Sequence, residues 1–492
     1  MDGASIAALA RSLGAQVIET HISWVLLAGA DAYKVKKPLR LSFVDYGSAG
    51  ARLHFCREEL RLNRRLAPAL YLGVVPVTGS PQQPALGGAG PAQDHAVHMR
   101  RFADGALFSE QLAAGTLRPA DVDALADLLA ASHRAAPRAA PADGYGSPAR
   151  RRAAALAALE GAKAAAGGGE QATLHGWLEA QAVALAPLWA ARAVDGSVRE
   201  CHGDLHLANA VRLDDGVAAF DCIEFDPALR WIDVLDDAAF AVMDFEALGF
   251  PGLAFRFLNR WLDAGGEHAG LPALRFALVY RALVRAQVAC LRGPPAAADA
   301  RRYLEAALRW CTPGAAQLTI THGLPGSGKT FASQRLLEQQ GAIRLRSDVE
   351  RKRLAGLAML EDSQARGLDL YGADASARTY ARLLALARVA LAAGYPVILD
   401  AAFLRRAERD GARALARELA LPFSILHCEA PPPVLRERLA ARRGDASEAD
   451  MAVLEKLLAV AEPLQADELP GVLRTEPGVD PGQGAPPGRG AA

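Results

Sequence analysis

The stretch QLTITHGLPGSGKT, residues 317–330, decides the fold of the C-terminal third of the chain. Residues 317–321 alternate as a strand, a Gly-rich turn follows, and Lys329-Thr330 open a helical pattern. This is the context a Walker A loop requires. Its glycines let successive backbone N–H groups curl around phosphate oxygens at the positive end of the helix. Lys329 is placed to reach the β- and γ-phosphates of ATP, and the Thr330 hydroxyl to complete a Mg²⁺ shell. Gly323, Leu324, Pro325, Gly326, Ser327, Gly328, Lys329 and Thr330 are therefore the nucleotide-binding candidates.

Downstream, strand-like runs at 342–345, 397–399 and 423–426 alternate with helical patterns, which predicts an α/β domain with a mostly parallel sheet over 314–478. The Pro/Gly-rich end, 479–492, has little to bury and reads as a disordered tail. Asp348 follows the second strand and is the candidate general base. The competing reading is structural, with Ser347 and Glu350 forming a capping box. Asp400 ends an apolar strand, as a metal-holding Walker B acid or as a loop cap. Arg438 and Arg442 lie one turn apart, with Arg436 and Arg443 beside them. They form either a lid that supplies charge to the transferring phosphoryl group or a solvated arginine face.

A second constellation lies upstream, in His202-Gly203-Asp204-Leu205-His206-Leu207-Ala208-Asn209 followed by Phe220-Asp221. An acid five residues before an asparagine, then another acid after a short strand, is the spacing of a protein-kinase-like centre. There Asp204 takes the acceptor hydroxyl while Asn209 and Asp221 hold Mg²⁺. Such a centre needs a lysine in a small β-rich lobe, paired with a helix glutamate. Alternation puts Lys34 and Lys36 on one face of a strand, with Lys34 the first choice for the phosphate contact and Lys36 the second. Glu59 shares a face with Leu62 and Leu66 and is the better placed of the Glu58-Glu59 pair. Residues 134–171, rich in Pro and Gly clusters, read as a loop within a helical lobe.

Composition narrows the function class. With 55 Lys+Arg against 55 Asp+Glu over 492 residues, the chain has no general basic excess, which disfavours long nucleic acids and anionic membranes as partners. Only seven residues are lysines, so those in the two constellations stand out where a compact charge must approach phosphates. Six scattered cysteines, no CxxC pair, no signal-like N-terminus and no long apolar run predict reduced thiols and a cytoplasmic protein.

Residues 1–312 resemble the aminoglycoside phosphotransferase-like family of the protein-kinase fold, through AYKVKK, CREELRLNRRL, CHGDLHLANAV, FDCIEFD and WIDVLDDAAF. The resemblance implies a small lobe over about 1–103 and a helical lobe over about 104–312. It makes Asp204 catalytic, Asn209 and Asp221 metal ligands, and Asp233 and Asp237 the brace of the catalytic loop. Residues 314–478 are similar to zeta-toxin and polynucleotide-kinase-like P-loop kinases, through GLPGSGKT, RLRSDVERKRL, VILDAAF and LRERLAARR. The expected whole is a bacterial two-domain fusion, a bifunctional ATP- and Mg²⁺-dependent kinase acting on small hydroxyl-bearing substrates. The alternative is a regulatory, nucleotide-sensing first domain controlling a P-loop ATPase or 5′-hydroxyl nucleic-acid kinase.

Overall fold

The computed structural model of the chain describes residues 1–41, 44–441 and 444–474. The expected tail, 479–492, and Arg442 and Arg443 lie outside the described residues. The chain forms two units, one of Met1–Leu248 with Phe276–Leu308, the other of Gly249–Arg275 with the residues from Arg309 onward. Among the described residues no helix is long and apolar enough to cross a membrane.

The first unit begins with a six-stranded sheet in the order Gln16–Glu19, Ser23–Ala28, Asp31–Lys36, Asp94–Arg100, Tyr71–Ser80, Gln83–Leu86. Every neighbouring pair is antiparallel. Gly29, at φ 58, closes the tight turn between the second and third strands. Alternation sends Trp24, Leu26 and Val35 into a core with Ile6 and Leu9 of the helix Gly3–Leu13, which Asp2 caps. On the helix Ala49–Asn63, capped by Ser48, Cys56, Glu59 and Leu62 are buried.

A mostly helical part follows. Residues 134–171 are not one loop: the helix Pro148–Gly161 lies within them. Pro148 starts this helix, where its missing N–H breaks no hydrogen bond. Two small ladders, Val198–Glu200 with Trp231–Asp233 and Ala210–Leu213 with Gly216–Ala219, fix the segment that carries the second constellation. The helix Val234–Ala247 beside it is buried along almost its whole length.

The second unit holds a fully parallel five-stranded sheet in the order Ile343–Arg346, Val397–Asp400, Leu318–His322, Phe423–His427, Val472–Arg474. The fifth strand, Val472–Arg474, lies beyond the four strand-like runs of the sequence. The strand that leads into the Gly-rich loop is central, so the loop leaves from the carboxyl ends of buried strands. The helix Pro251–Gly265 belongs to this unit. Its buried Asn259 donates to the Ala342 carbonyl at 2.8 Å and accepts from the Arg344 N–H at 2.6 Å, which anchors the edge strand.

Candidate active sites

In the first unit, Lys34 and Lys36 point to the same side of their strand but reach different depths. Lys34 Nζ lies 2.9 Å from Glu59 Oε1 and ion-pairs with Asp221. Burial works against its charge, but Asp221 and Glu59 outweigh that and raise the Lys34 pKa well above the usual lysine range. Lys36 is fully enclosed, 2.7 Å from Glu59 Oε2 and paired with Glu224, whose carboxylate also accepts from Tyr46. One glutamate thus clamps both lysines, and Lys34 is the one held beside Asp221.

Asp221 carries the left-handed φ of 66, uncommon for a non-glycine residue. Its N–H donates to Tyr71 Oη at 3.2 Å, and the next N–H, of Cys222, donates to Asn63 Oδ1 at 2.9 Å. Asp221 keeps 44% of its side chain exposed. Asn209 Nδ2 donates to the Asp204 carbonyl at 2.9 Å, which turns the amide and leaves its oxygen as a ligand atom. An amide oxygen and a carboxylate are hard donors that suit Mg²⁺, so the residues fit the expected ion.

Asp237 braces the loop that carries Asp204. Its two carboxylate oxygens accept the N–H groups of His202 at 3.1 Å and Gly203 at 2.8 Å, and His133 Nε2 lies 3.0 Å away. Asp233 does something else: it holds Arg192 through two 2.7 Å bonds and caps the following helix through the Leu235 N–H. Asp244, unremarked in the sequence, accepts the Leu207 N–H at 2.8 Å. Burial pushes the Asp204 carboxyl up to about 7, against the opposing pull of Arg285. A carboxyl in that range, with 34% of its side chain open, can accept a proton from a hydroxyl near neutral pH.

In the second unit the Gly-rich loop is closely packed. A Cβ on Gly323, at φ 149, would lie 2.2 Å from the Cys428 carbonyl oxygen, and one on Gly326, at φ 85, would lie 2.9 Å from the Leu435 carbonyl oxygen. Lys329 Nζ donates to the Leu324 carbonyl at 2.9 Å, across the loop. The buried Ser327 hydroxyl has no partner among the described residues. Thr330 is exposed on the first turn of the helix Lys329–Gln340.

Asp400, buried at the end of its strand, accepts from Ser333 Oγ at 3.1 Å. Arg438, on the helix Pro432–Ala441, donates to the Gly326 carbonyl at 3.2 Å and so touches the loop. Asp348 sits in the first turn of the helix Ser347–Leu354, bonded to Arg351 at 2.9 Å. The alternative capping box is not formed: Arg346 occupies the cap position, and Glu350 pairs with Arg353 and Arg382.

The sequence missed Glu224, Tyr71, Asn63 and Asp244. Glu224 lies within FDCIEFD, but its partner Lys36 is 188 positions away, and no local spacing signals such a pair.

Residues 318–464 match the model of an AAA domain family, and the parallel sheet with its Gly-rich loop makes this part a P-loop domain. Among solved structures, a sugar kinase of Janibacter sp. HTCC2649 is similar at 21% identity and TM-score 0.25, covering 32% of this chain and 84% of that one. Chaetomium thermophilum Kti12 in complex with ADP-AlF3 is similar at 18% identity and TM-score 0.26, covering 33% and 91%. The uncharacterized proteins Rv2004c of Mycobacterium tuberculosis and Mb2027c of Mycobacterium bovis are each 34% identical over 454 residues, 90% of this chain and 89% of theirs. A match of that length necessarily runs through both units, and the chain belongs to the family of these mycobacterial proteins.

Proposed function

We propose that the chain is a bifunctional ATP- and Mg²⁺-dependent phosphotransferase that moves γ-phosphoryl groups to hydroxyl acceptors of small molecules. The observation that carries this reading is the convergence of Lys34, Glu59, Asp221, Asn209 and Asp204 from four separate stretches of sequence in one unit. The AAA-type Gly-rich loop supplies a second nucleotide site.

In the first unit, which we read as aminoglycoside phosphotransferase-like, Lys34 orients the α/β-phosphates and Asn209 and Asp221 hold the metal. Asp204 receives the acceptor proton. Bound Mg²⁺ would neutralise charge on the transferring group. In the second unit Lys329 and the loop amides hold the triphosphate, Thr330 and Asp400 serve the metal, Arg438 stabilises developing charge, and Asp348 is the base. Catalysis in both rests on positioning and charge neutralisation.

The test uses the full chain. Transfer of labelled γ-phosphate to pooled hydroxyl compounds and short 5′-hydroxyl oligonucleotides is measured for wild type, Asp204→Asn, Lys329→Ala and the double variant. Each single change is expected to remove one set of products and leave the other. Products unaffected by Asp204→Asn, with only Lys329→Ala abolishing turnover, would reject catalysis by the first unit. Loss of all turnover from either single change, with the fold intact, would instead support a regulatory first unit.

A further inference from the structure

The helix Leu271–Leu291 brings Arg281 and Arg285, one turn apart, to the back of the Asp204 loop within the first unit. Arg281 is 3% exposed. Its Nε donates to the Asp236 carbonyl at 3.1 Å, but its Nη2 has no hydrogen-bond partner among the described residues. Its guanidinium lies 4.9 Å from the centre of the Phe240 ring, and that ring packs 6.2 Å from the ring of His206. His206 Nε2 is in turn 3.6 Å from Asp204 Oδ2.

Arg285 lies 5.5 Å over Tyr303, and its Nε is also without a partner among the described residues. Tyr303 donates to Asp244 Oδ1 at 2.7 Å, and Asp244 holds the Leu207 N–H. Arg281 thus reaches the Asp204 loop through Phe240, and Arg285 through Tyr303 and Asp244.

Neighbouring buried arginines are neutralised. Arg151 meets Asp236 at 2.6 Å and Arg192 meets Asp233 at 2.7 Å. Arg281 and Arg285 make no direct ion pair with a carboxylate among the described residues; Asp204 and Asp244 attract Arg285 only at longer range, and an N–H left without an acceptor in a buried site is unfavourable. The unmatched N–H groups of Arg281 Nη2 and Arg285 Nε favour an oxyanion supplied from outside. Guanidinium groups suit phosphate and carboxylate, which they can bind through two parallel bonds.

We propose that the acceptor of the first unit carries an anionic group, phosphate or carboxylate, bound by Arg281 and Arg285 while its hydroxyl faces Asp204. The inference rests on reading Asp204 as the centre of that unit. It sets this chain apart from enzymes that act on polycationic acceptors, which the two arginines would repel.

The experiment uses the full chain carrying Lys329→Ala, so that the Gly-rich loop does not contribute phosphate binding. Thermal protection by inorganic phosphate is measured first. γ-Phosphate transfer is then compared across matched acceptors: glycerol, glycerate and glycerol 3-phosphate; ribose and ribose 5-phosphate. Phosphate is expected to protect, and Arg285→Gln, alone or with Arg281→Gln, to raise its half-saturation by about tenfold or more, the loss of one charge-assisted bond. Arg285→Lys should restore part of it. Transfer should favour the anionic member of each set, the phosphate and carboxylate arms identifying the group, and the arginine variants should raise KM for the acceptor and leave that for ATP unchanged.

Equal protection of wild type and both glutamine variants, preference for neutral acceptors, or an effect of the arginines on ATP alone would overturn the proposal. Arg285→Gln, the less buried of the two, keeps the test decisive if the double variant does not fold. Failure of the underlying reading looks different: transfer would survive Asp204→Asn while phosphate protection still required the arginines.

Discussion

Lys34 and Asp221, 187 residues apart in sequence, are joined by an ion pair that ties the β-sheet part of the first unit to the loop after the His202–Asn209 segment. Glu59 completes the contact and also reaches Lys36, so two lysines of similar chemistry are held for different ends. Lys36→Met would strand the buried carboxylates of Glu59 and Glu224, a loss of about 3–5 kcal/mol for a broken buried pair. It should lower the melting temperature by many degrees. Lys34→Met should abolish first-unit transfer with a smaller thermal effect. Melting curves paired with transfer assays check this, and a Lys36→Met chain that melts like wild type would refute the division of labour.

Asp237→Ala should leave the N–H groups of His202 and Gly203 without acceptors, at about 1–3 kcal/mol for each unsatisfied buried group. The loop that carries Asp204 should lose its shape before the unit loses its fold. Hydrogen exchange at residues 202–204 should therefore speed up more than exchange in the helix Val234–Ala247. Equal acceleration of both would mean that Asp237 is a general stabiliser only.

The glycines of the phosphate loop should differ in tolerance. Gly323→Ala places a Cβ against the backbone oxygen of Cys428 at 2.2 Å, whereas at Gly328 the nearest atom is 3.8 Å away on Arg438. Both have positive φ, so both substitutions carry backbone strain. Gly323→Ala should eliminate nucleotide binding by the second unit, while Gly328→Ala should weaken it by a smaller factor. Titration with a fluorescent ATP analogue reads the order.

Asp348→Asn separates catalysis from local structure. A general base should contribute about 10²- to 10⁴-fold to kcat. A first-turn acid bonded to Arg351 should contribute only about 0.3–1 kcal/mol of stability. We expect the fall in kcat with an almost unchanged melting temperature. A kcat near wild type would reduce Asp348 to a helix-start charge.

Glu200 sets an acid limit on stability. Burial raises its pKa, but hydrogen bonds from Arg61 and Arg230, with the charge of Arg65, bring it down from 4.5 to about 2. Because the folded value lies below the unfolded one, the stabilisation is complete above the unfolded value and is lost as pH falls toward the folded one. That is on the order of 3 kcal/mol over the interval. Glu200→Gln should flatten the decline in stability between about pH 4.5 and 2. An unaltered acid profile would show that the arginines do not act through this carboxylate.

The Gly-rich loop was legible because its whole device lies in eight consecutive residues between a strand and a helix. Lys34 and Glu59 were readable from strand and helix periodicity. Periodicity assigns a face but not a depth: the sequence put Lys34 first and Lys36 second on one face, and the packing of Glu224 and Tyr46 around Lys36 is what sets their different depths. The Pro/Gly clusters of residues 134–171 suggest a loop, but Pro148 serves there as a helix starter rather than a breaker. Arg281 and Arg285 carry no motif. Their place behind the Asp204 loop comes from tertiary packing against Phe240 and Tyr303, which a linear text cannot display.

The second unit takes in the chain twice, first as Gly249–Arg275 and again from Arg309 onward. Asn259 stitches the earlier passage to the sheet edge, and Asp263 lies 3.9–4.0 Å from Arg344 and Arg346. Proteolytic nicking at the exposed residues 312–315 should therefore give two polypeptides that co-elute on a sizing column until denaturant is added. A gene truncated at the same point would encode a P-loop sheet that lacks its own supporting helix.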